Sequence, residues 1–476
     1  MHDHPRHAGH VLIDDPAVMT AAELAAGYAA RRFSPVEITE ALLRRAHALN
    51  LRLNALYLFD DEAALAAARA STERWASGTQ SSPLDGVPTT IKDALPSIGH
   101  PSYRGSAAHP DDVRNADTDA PVVARMREAG MVFLGKTTMP DFGILASGYS
   151  SKHGVARNPW RLDRTPGGSS AGAAASIAAG LNPVAAGTDI VGSIRLPASF
   201  TGLVGFKPSQ GRVPYYVPNS PSLVAGPMAR TVHDAALLMN VIAQPDARDF
   251  TALPPQRVDY AAQTIGPARI ALIHSLGFGV EPDPEVAAAV EQAARLLADA
   301  GHQIVTREAA FSPDHLREAE RFYKARCRTE FLGMPPHRQK QAEVIGAWSA
   351  EADTMTAVDL YRAFNRLQQM REATIRLMHD CDFLLLPTVP WLPFAAEQPG
   401  PEQGLFAPWL NTFLFNITEQ PASSIPCAVS RDGLPIGLQI VGRRYDDAGV
   451  FALSAAFERL HPMREALDNI IAGQHG

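Results

Sequence analysis

Two loops of small residues carry the hydroxyls that could do chemistry in this chain. Gly167 to Gly172 reads GGSSAG, and Gly187 to Ser193 reads GTDIVGS. Across the surrounding stretch, Thr165 to Pro214, hydroxyls stand at Ser169, Ser170, Thr188, Ser193 and Ser199. Glycine is entropically expensive to order, so glycine at this density marks backbone brought close to something. The Ala-rich run between the loops, Ser170 to Ala179, is stopped by Gly180 and reads as a helix. Ser169 and Ser170 then stand at its N-terminus, where free N–H groups and the helix dipole favour developing negative charge. Such a place suits a nucleophile, a proton relay or an anion site. A separate lysine, Lys92, closes the alternating segment GVPTTIK.

Several chemistries compete for these serines. Gly168 to Gly172 fits G-x-S-x-G, which would make Ser170 the nucleophile on a strand-to-helix elbow. That motif needs a strand just before it, and NPWRLDRTP is polar and broken by proline. A phosphate-binding loop needs Gly-Lys-Ser/Thr at its end, but Ala173 follows Gly172. An S-x-x-K pair would need serine at Thr89, three residues before Lys92. No H-E-x-x-H or comparable ligand spacing supports a catalytic metal.

The whole chain narrows the partner classes. It has 476 residues, 46% hydrophobic and 20% charged, the composition of a globular protein with ample core. A net charge of −7 without basic clusters argues against a nucleic-acid partner. Cys327, Cys381 and Cys427 are odd in number and far apart, so neither a disulfide framework nor a zinc knuckle is indicated. No apolar run is long enough to span a bilayer, and the start, MHDHPRHAGH, lacks a signal-peptide core. A cytoplasmic protein with no membrane partner is expected. His2, His4, His7 and His10 fit a solvated tail better than a metal site.

The positioning elements alternate. A capping box at Ser34 to Glu37 opens a helix to Leu49, and another runs from Asp61 to Ala76. Gly86 to Lys92 reads as a strand, Pro121 starts a helix stopped by Gly130, and Met131 to Lys136 is a buried strand. Thr231 caps a helix through Ile242, and proline-rich sequence from Pro245 to Pro267 reads as an excursion within one domain. Beyond it come strand ARIALIH, helix Pro284 to Ala300, strand HQIVT, and helices Pro313 to Phe331 and Ala357 to His379. Strands Asp382 to Pro387, Ser424 to Ala428 and Pro435 to Val441 precede a closing helix, Asp446 to Leu460. Strands alternating with helices predict an α/β fold: one large α/β/α domain with a mixed, mostly parallel sheet covered on both faces.

These motifs together resemble the amidase signature family. The similarity rests on GGSS at Gly167 to Ser170, GTDIVGSIRLPA at Gly187 to Ala198 and GFKPSQGRVP at Gly205 to Pro214. It extends to GVPTTIKD, GKTTMPDFG, GPMARTVHDAALLM, FNITEQPASSIPCAV and GLPIGLQIVGRRYDD, from about Ala21 to Leu460. The resemblance implies an amidase signature domain over 21–470, with its catalytic core at 86–240 and a flexible tail at 1–20. It also implies hydrolysis of a small, non-peptide amide through an acyl-serine, with no cofactor and no metal. Carried onto this sequence, the family's lysine is Lys92, its relay serine, after a cis peptide, is Ser169, and its nucleophile is Ser193. The oxyanion donors are the backbone N–H groups of Ile190, Val191, Gly192 and Ser193. Gly168, Ser170, Asp189 and Arg195 are expected to support the loops, the last two as a structural ion pair.

A lysine can act as a base only when neutral, so burial must bring its pKa from about 10.4 toward roughly 7–8. Two rival readings remain: an amidotransferase A-type subunit working with partners on charged tRNA, and a silent binding protein on the same fold. A homodimer is left open. Tyr103, Met139, Phe142 and Tyr215 are candidate pocket residues, within segments that also include Arg104, Tyr216, Val217, Phe322, Tyr323 and Trp391 to Phe394. Their aromatics suggest an apolar or aryl acyl group. Val191 stands where the resembled family usually has glycine. A β-branched side chain there should keep negative φ and pack behind the loop.

Overall fold

The computed structural model describes residues 15–215, 222–309 and 311–474. His2, His4, His7, His10, Tyr216 and Val217 lie outside the described residues. The tail expected over 1–20 is already packed where it is described: Ala17, Met19 and Thr20 are buried. Arg230 donates to the Ala17 carbonyl, and Thr20 caps the helix Ala21–Ala29 through a capping box.

Among the described residues eleven strands form one sheet. In chain order they are β1 (Leu56–Phe59), β2 (Pro88–Lys92), β3 (Val132–Thr137), β4 (Val184–Asp189), β5 (Val204–Lys207) and β6 (Val224–Ala229). The remainder are β7 (Arg269–Leu272), β8 (Gln303–Thr306), β9 (Phe383–Pro387), β10 (Ala422–Val429) and β11 (Pro435–Gly442). Their spatial order is β1-β3-β2-β4-β6-β5-β10-β11-β9-β7-β8. The expected mixed sheet is present, and its parallel pairs lie on the two flanks: β3 with β2, β2 with β4, β9 with β7, and β7 with β8. The centre is antiparallel from β4 through β11 to β9. The cause is connectivity. β10 and β11 are joined by a short turn that leaves no room for a crossover helix, and β6 inserts between β4 and β5.

Period-two burial explains why helices cover both faces. Ile270 and Leu272, Phe383 and Leu385, and Ile440 face one core, shared with helices Val232–Ile242, Pro284–Asp299 and Asp447–Leu460. Their neighbours Ala271, Leu384, Leu386 and Val441 face the other, shared with helices Pro313–Leu332 and Ala357–Leu377. Tyr260, inside the proline-rich stretch, packs on Phe451 at 5.5 Å, so that stretch belongs to the first core. Lys92 ends β2 and Asp189 ends β4, and these strands run parallel with Ile91 opposite Ala186. Both residues therefore emerge at the carboxyl end of adjacent strands, where open α/β sheets place their crevices.

Candidate active site

Lys92 is fully buried, and its Nζ is surrounded by oxygen. It lies 2.9 Å from Ser169 Oγ, 2.9 Å from Ser170 Oγ, 2.8 Å from Thr188 Oγ1 and 3.3 Å from the Thr188 carbonyl. Burial lowers its pKa from 10.5 to about 7; Asp189 opposes that change and Arg104 reinforces it. The two glycine loops thus meet on one amine. Ser169 follows a cis Gly168–Ser169 peptide, and Ser170 stands at the N-terminal boundary of the helix Ala171–Ala178 without a side-chain capping bond. A Cβ on Gly168 would sit 2.4 Å from the Leu145 carbonyl, so only glycine lets the chain pass there. Among the described residues no strand runs directly into Ser170, and its hydroxyl lies 2.9 Å from Lys92 Nζ, both against the elbow reading.

Ser193 lies at the other side of a narrow crevice of about 20 Å³ that Ser169 and Thr188 also line. Its Oγ has no hydrogen-bond partner among the described residues, and its carbonyl accepts from the Ser170 N–H at 3.2 Å. The loop before it is fixed by Asp189, which accepts from the N–H groups of Gly192 (2.8 Å) and Ile194 (3.1 Å). Arg195 binds the same carboxylate through two nitrogens, at 3.1 and 3.0 Å, and reaches on to the Thr412 carbonyl, Gln439 and Asn416. Both charges are fully buried, as a structural pair requires. Burial alone would raise the Asp189 carboxyl; Arg195 and Asn416 outweigh it and hold the group at about 2.

One expected oxyanion donor is lost to this brace. The Gly192 N–H is taken by Asp189, while those of Ile190, Val191 and Ser193 donate to no group among the described residues. Buried N–H groups are nearly always paired, so three free ones beside a free serine point to an oxygen from outside the protein. Gly192 has φ 138, and a Cβ there would meet Thr412 Oγ1 at 2.3 Å, which explains its glycine. Val191 is absent from the positive-φ residues, is buried in the same cluster as Trp409 and Phe413, and is not among the residues that line the crevice.

Of the candidate pocket residues, Met139, Phe142 and Tyr215 line the crevice, together with Ala94, Gly143, Ile190 and Leu223. Tyr103 does not. Its ring packs against Tyr57 and His153, and its hydroxyl donates to the Asp111 carbonyl at 3.3 Å. The reason is the turn: Arg104 has φ 46, so successive side chains diverge and Arg104 takes the place in the wall. Arg326 lines the crevice as well, from the helix that carries Phe322 and Tyr323. The patterning of that helix marks Arg326 and Glu330 as an i,i+4 pair and nothing more. A larger cavity, about 830 Å³, shares Arg326 and is lined by Phe322, Leu332, Asp353 and Leu360. It contains none of the converging serines, which leaves the small crevice as the candidate site.

A covered mixed sheet that brings a buried lysine and a free serine to adjacent strand ends defines a class, α/β enzymes built on a lysine–serine site. The comparisons with known proteins make the class specific. The Amidase family model matches residues 37–451, and the chain belongs to that family. The acylamidase of Rhodococcus erythropolis is 33% identical over 463 residues, covering 93% of this chain and 96% of that protein. The A-type subunit of the Myxococcus xanthus glutamyl-tRNA(Gln) amidotransferase is 36% identical over 480 residues, covering 93% and 97%. Among solved structures, a bacterial aryl acylamidase of the amidase signature family superposes with a TM-score of 0.87. It is 29% identical and covers 96% of this chain and 99% of its own. No helix among the described residues is long and apolar enough to cross a membrane.

Proposed function

We propose that this amidase hydrolyses small, non-peptide amides through an acyl-serine on Ser193, with Lys92 as base and Ser169 as proton relay. The observation that carries the reading is Lys92 Nζ, fully buried, 2.9 Å from Ser169 Oγ and brought to a pKa of about 7. Neutral Lys92 accepts the Ser169 proton as Ser169 takes the proton of Ser193, and Ser193 Oγ attacks the amide carbonyl carbon. The tetrahedral oxyanion is met by the free N–H groups of Ile190, Val191 and Ser193. The Lys92 ammonium then returns its proton through Ser169 to the leaving nitrogen, the C–N bond breaks and the amine departs. Water attacks the acyl-serine by the same relay in reverse. Ser170 and Thr188 hold the lysine in place throughout.

The test is a panel of aryl, alkyl, peptide and glutamine amides offered to the purified protein and to Ser193→Ala. Turnover of a small amide that vanishes in the variant supports the reading. Undiminished turnover in the variant removes Ser193.

A second reading has its own support, the 34–36% identity to amidotransferase A-type subunits. Under it the chain would release ammonia from glutamine for a partner acting on charged tRNA. Co-purification with other subunits and glutaminase activity dependent on tRNA would favour it; hydrolysis by the isolated chain alone favours the first.

A further inference from the structure

The wall of the crevice carries more positive than negative charge. Arg104 and Arg326 both line it, and one carboxylate, Glu330, serves them both. Arg326 NH2 lies 2.6 Å from Glu330 Oε1, and Arg104 NH2 lies 3.0 Å from Oε2. No other acid pairs with either guanidinium among the described residues. In both ion pairs it is NH2 that is engaged, and Arg104 NH2 also donates to the Phe142 carbonyl at 3.3 Å. The Nε of Arg326 is buried without a partner. The rest of the wall sets the hydroxyls of Ser169, Thr188 and Ser193 beside the apolar side chains of Met139, Ile190 and Leu223.

Both arginines are held in place. Arg326 sits one helical turn before Glu330 on Pro313–Leu332. Arg104 stands in a turn whose flanking N–H groups, Tyr103 and Gly105, donate to the two oxygens of Asp93 at 3.0 and 2.8 Å. Asp93 follows Lys92 directly, so the residue after the proposed base fixes the turn that brings Arg104 to the crevice. An arginine at positive φ, tied down on both sides, is more than a stray surface charge.

Taking the crevice as the amide site proposed above, we propose that Arg104 and Arg326 form an anion subsite that selects amides bearing a carboxylate near the scissile bond. The subsite suits an anion and not a cation, because two guanidinium groups share the single carboxylate of Glu330, whose Oε2 lies 3.0 Å from Arg104 NH2 without a hydrogen bond. A carboxylate oxygen can accept from the N–H groups that Glu330 leaves free, the buried Nε of Arg326 among them. In a buried crevice such a contact is worth more than at the surface.

The experiment compares the mono-p-nitroanilide of succinic acid with its methyl ester. Wild type should favour the acid in kcat/KM by on the order of 10–100-fold, mostly through KM. Arg326→Gln and Arg104→Gln should each pull the acid-to-ester ratio toward one. Glu330→Gln, which removes the competing anion, should preserve or raise it. A wild type that is indifferent or favours the ester, or a preference that survives both arginine changes, overturns the subsite. A second measurement uses labelling of Ser193 by a neutral fluorophosphonate: succinate should slow it in wild type and not in Arg326→Gln. Labelling that succinate never slows also overturns the subsite while leaving the amidase mechanism standing. Absence of both labelling and hydrolysis sinks that mechanism and this inference with it.

Discussion

Replacing or titrating Lys92 probes the proposed mechanism most directly. A pKa brought from 10.5 to about 7 corresponds to a bias of about 5 kcal/mol toward the neutral amine, on the scale of 1.36 kcal/mol per tenfold. At pH 7 about half the enzyme then holds a neutral base, against roughly 3 in 10,000 for an unperturbed lysine, a gain on the order of 10³ in competent enzyme. kcat/KM and the rate of fluorophosphonate labelling should therefore rise with pH through one ionisation near 7 and level off above it. Lys92→Arg should lose nearly all activity, because a guanidinium does not deprotonate in proteins. The Arg104 charge is one cause of the lowered value, so Arg104→Gln should move the midpoint upward. The same ionisation bears on stability. Folded Lys92 is neutral above about 7 while the unfolded chain stays protonated to 10.5, so its contribution to stability rises with pH across that window. A rate that is flat between about pH 5 and 9 in both assays would refute the assignment of Lys92 as the base.

Ser193→Ala should abolish turnover and labelling; a label found on Ser170 by peptide mapping would instead reinstate the elbow chemistry. Ser169→Ala should cost about 10²–10⁴ in kcat with the circular dichroism spectrum unchanged, and most activity remaining would exclude it from the relay. Asp189→Asn leaves Arg195 buried without its counter-charge and should cost about 3–5 kcal/mol in denaturant unfolding. With the folded carboxyl held at about 2 against 3.8, the stability from Asp189 is complete above 3.8 and is lost as pH falls through 2. Val191→Ala should lower stability by about 1–3 kcal/mol and leave the ranking of substrates unaltered, because the side chain is buried and does not line the crevice. A changed ranking would place that side chain in the pocket after all.

The fold was legible wherever a segment carried its own boundary signals. The capping box at Ser34 set the start of Pro35–Leu53, and Thr231 set that of Val232–Ile242. Proline and aspartate did the same for Pro284–Asp299. What escaped were segments whose structure is decided by their neighbours. Helix Arg195–Thr201 contains proline and β-branched threonine and lacks a side-chain cap, yet it forms because Arg195 is anchored on Asp189, Gln439 and Asn416. Strands β5 and β6 are short, rich in glycine and proline, and gain their identity by pairing with each other in the antiparallel centre. Local pattern cannot show that pairing, because strand direction is set by which strand inserts where.

The site divides along the same physical line. Lys92, Ser169 and Ser193 came from the family resemblance, and the structure brings the Lys92 amine within 2.9 Å of Ser169 Oγ while Ser169 and Ser193 line one crevice. Gly192 was misassigned as a free donor because an N–H looks the same in sequence whether it faces a substrate or a carboxylate three residues earlier; here Asp189 claims it. Tyr103 and Arg104 show the limit most sharply. Composition favours the aromatic as a pocket residue, but one positive φ turns the tyrosine toward His153 and leaves the arginine lining the crevice. The crevice keeps Phe142 and Tyr215 in its wall and adds the guanidinium groups of Arg104 and Arg326. The hydrogen bonds of Asp93 fix that turn, so the same strand end that delivers Lys92 also determines which charge stands beside it.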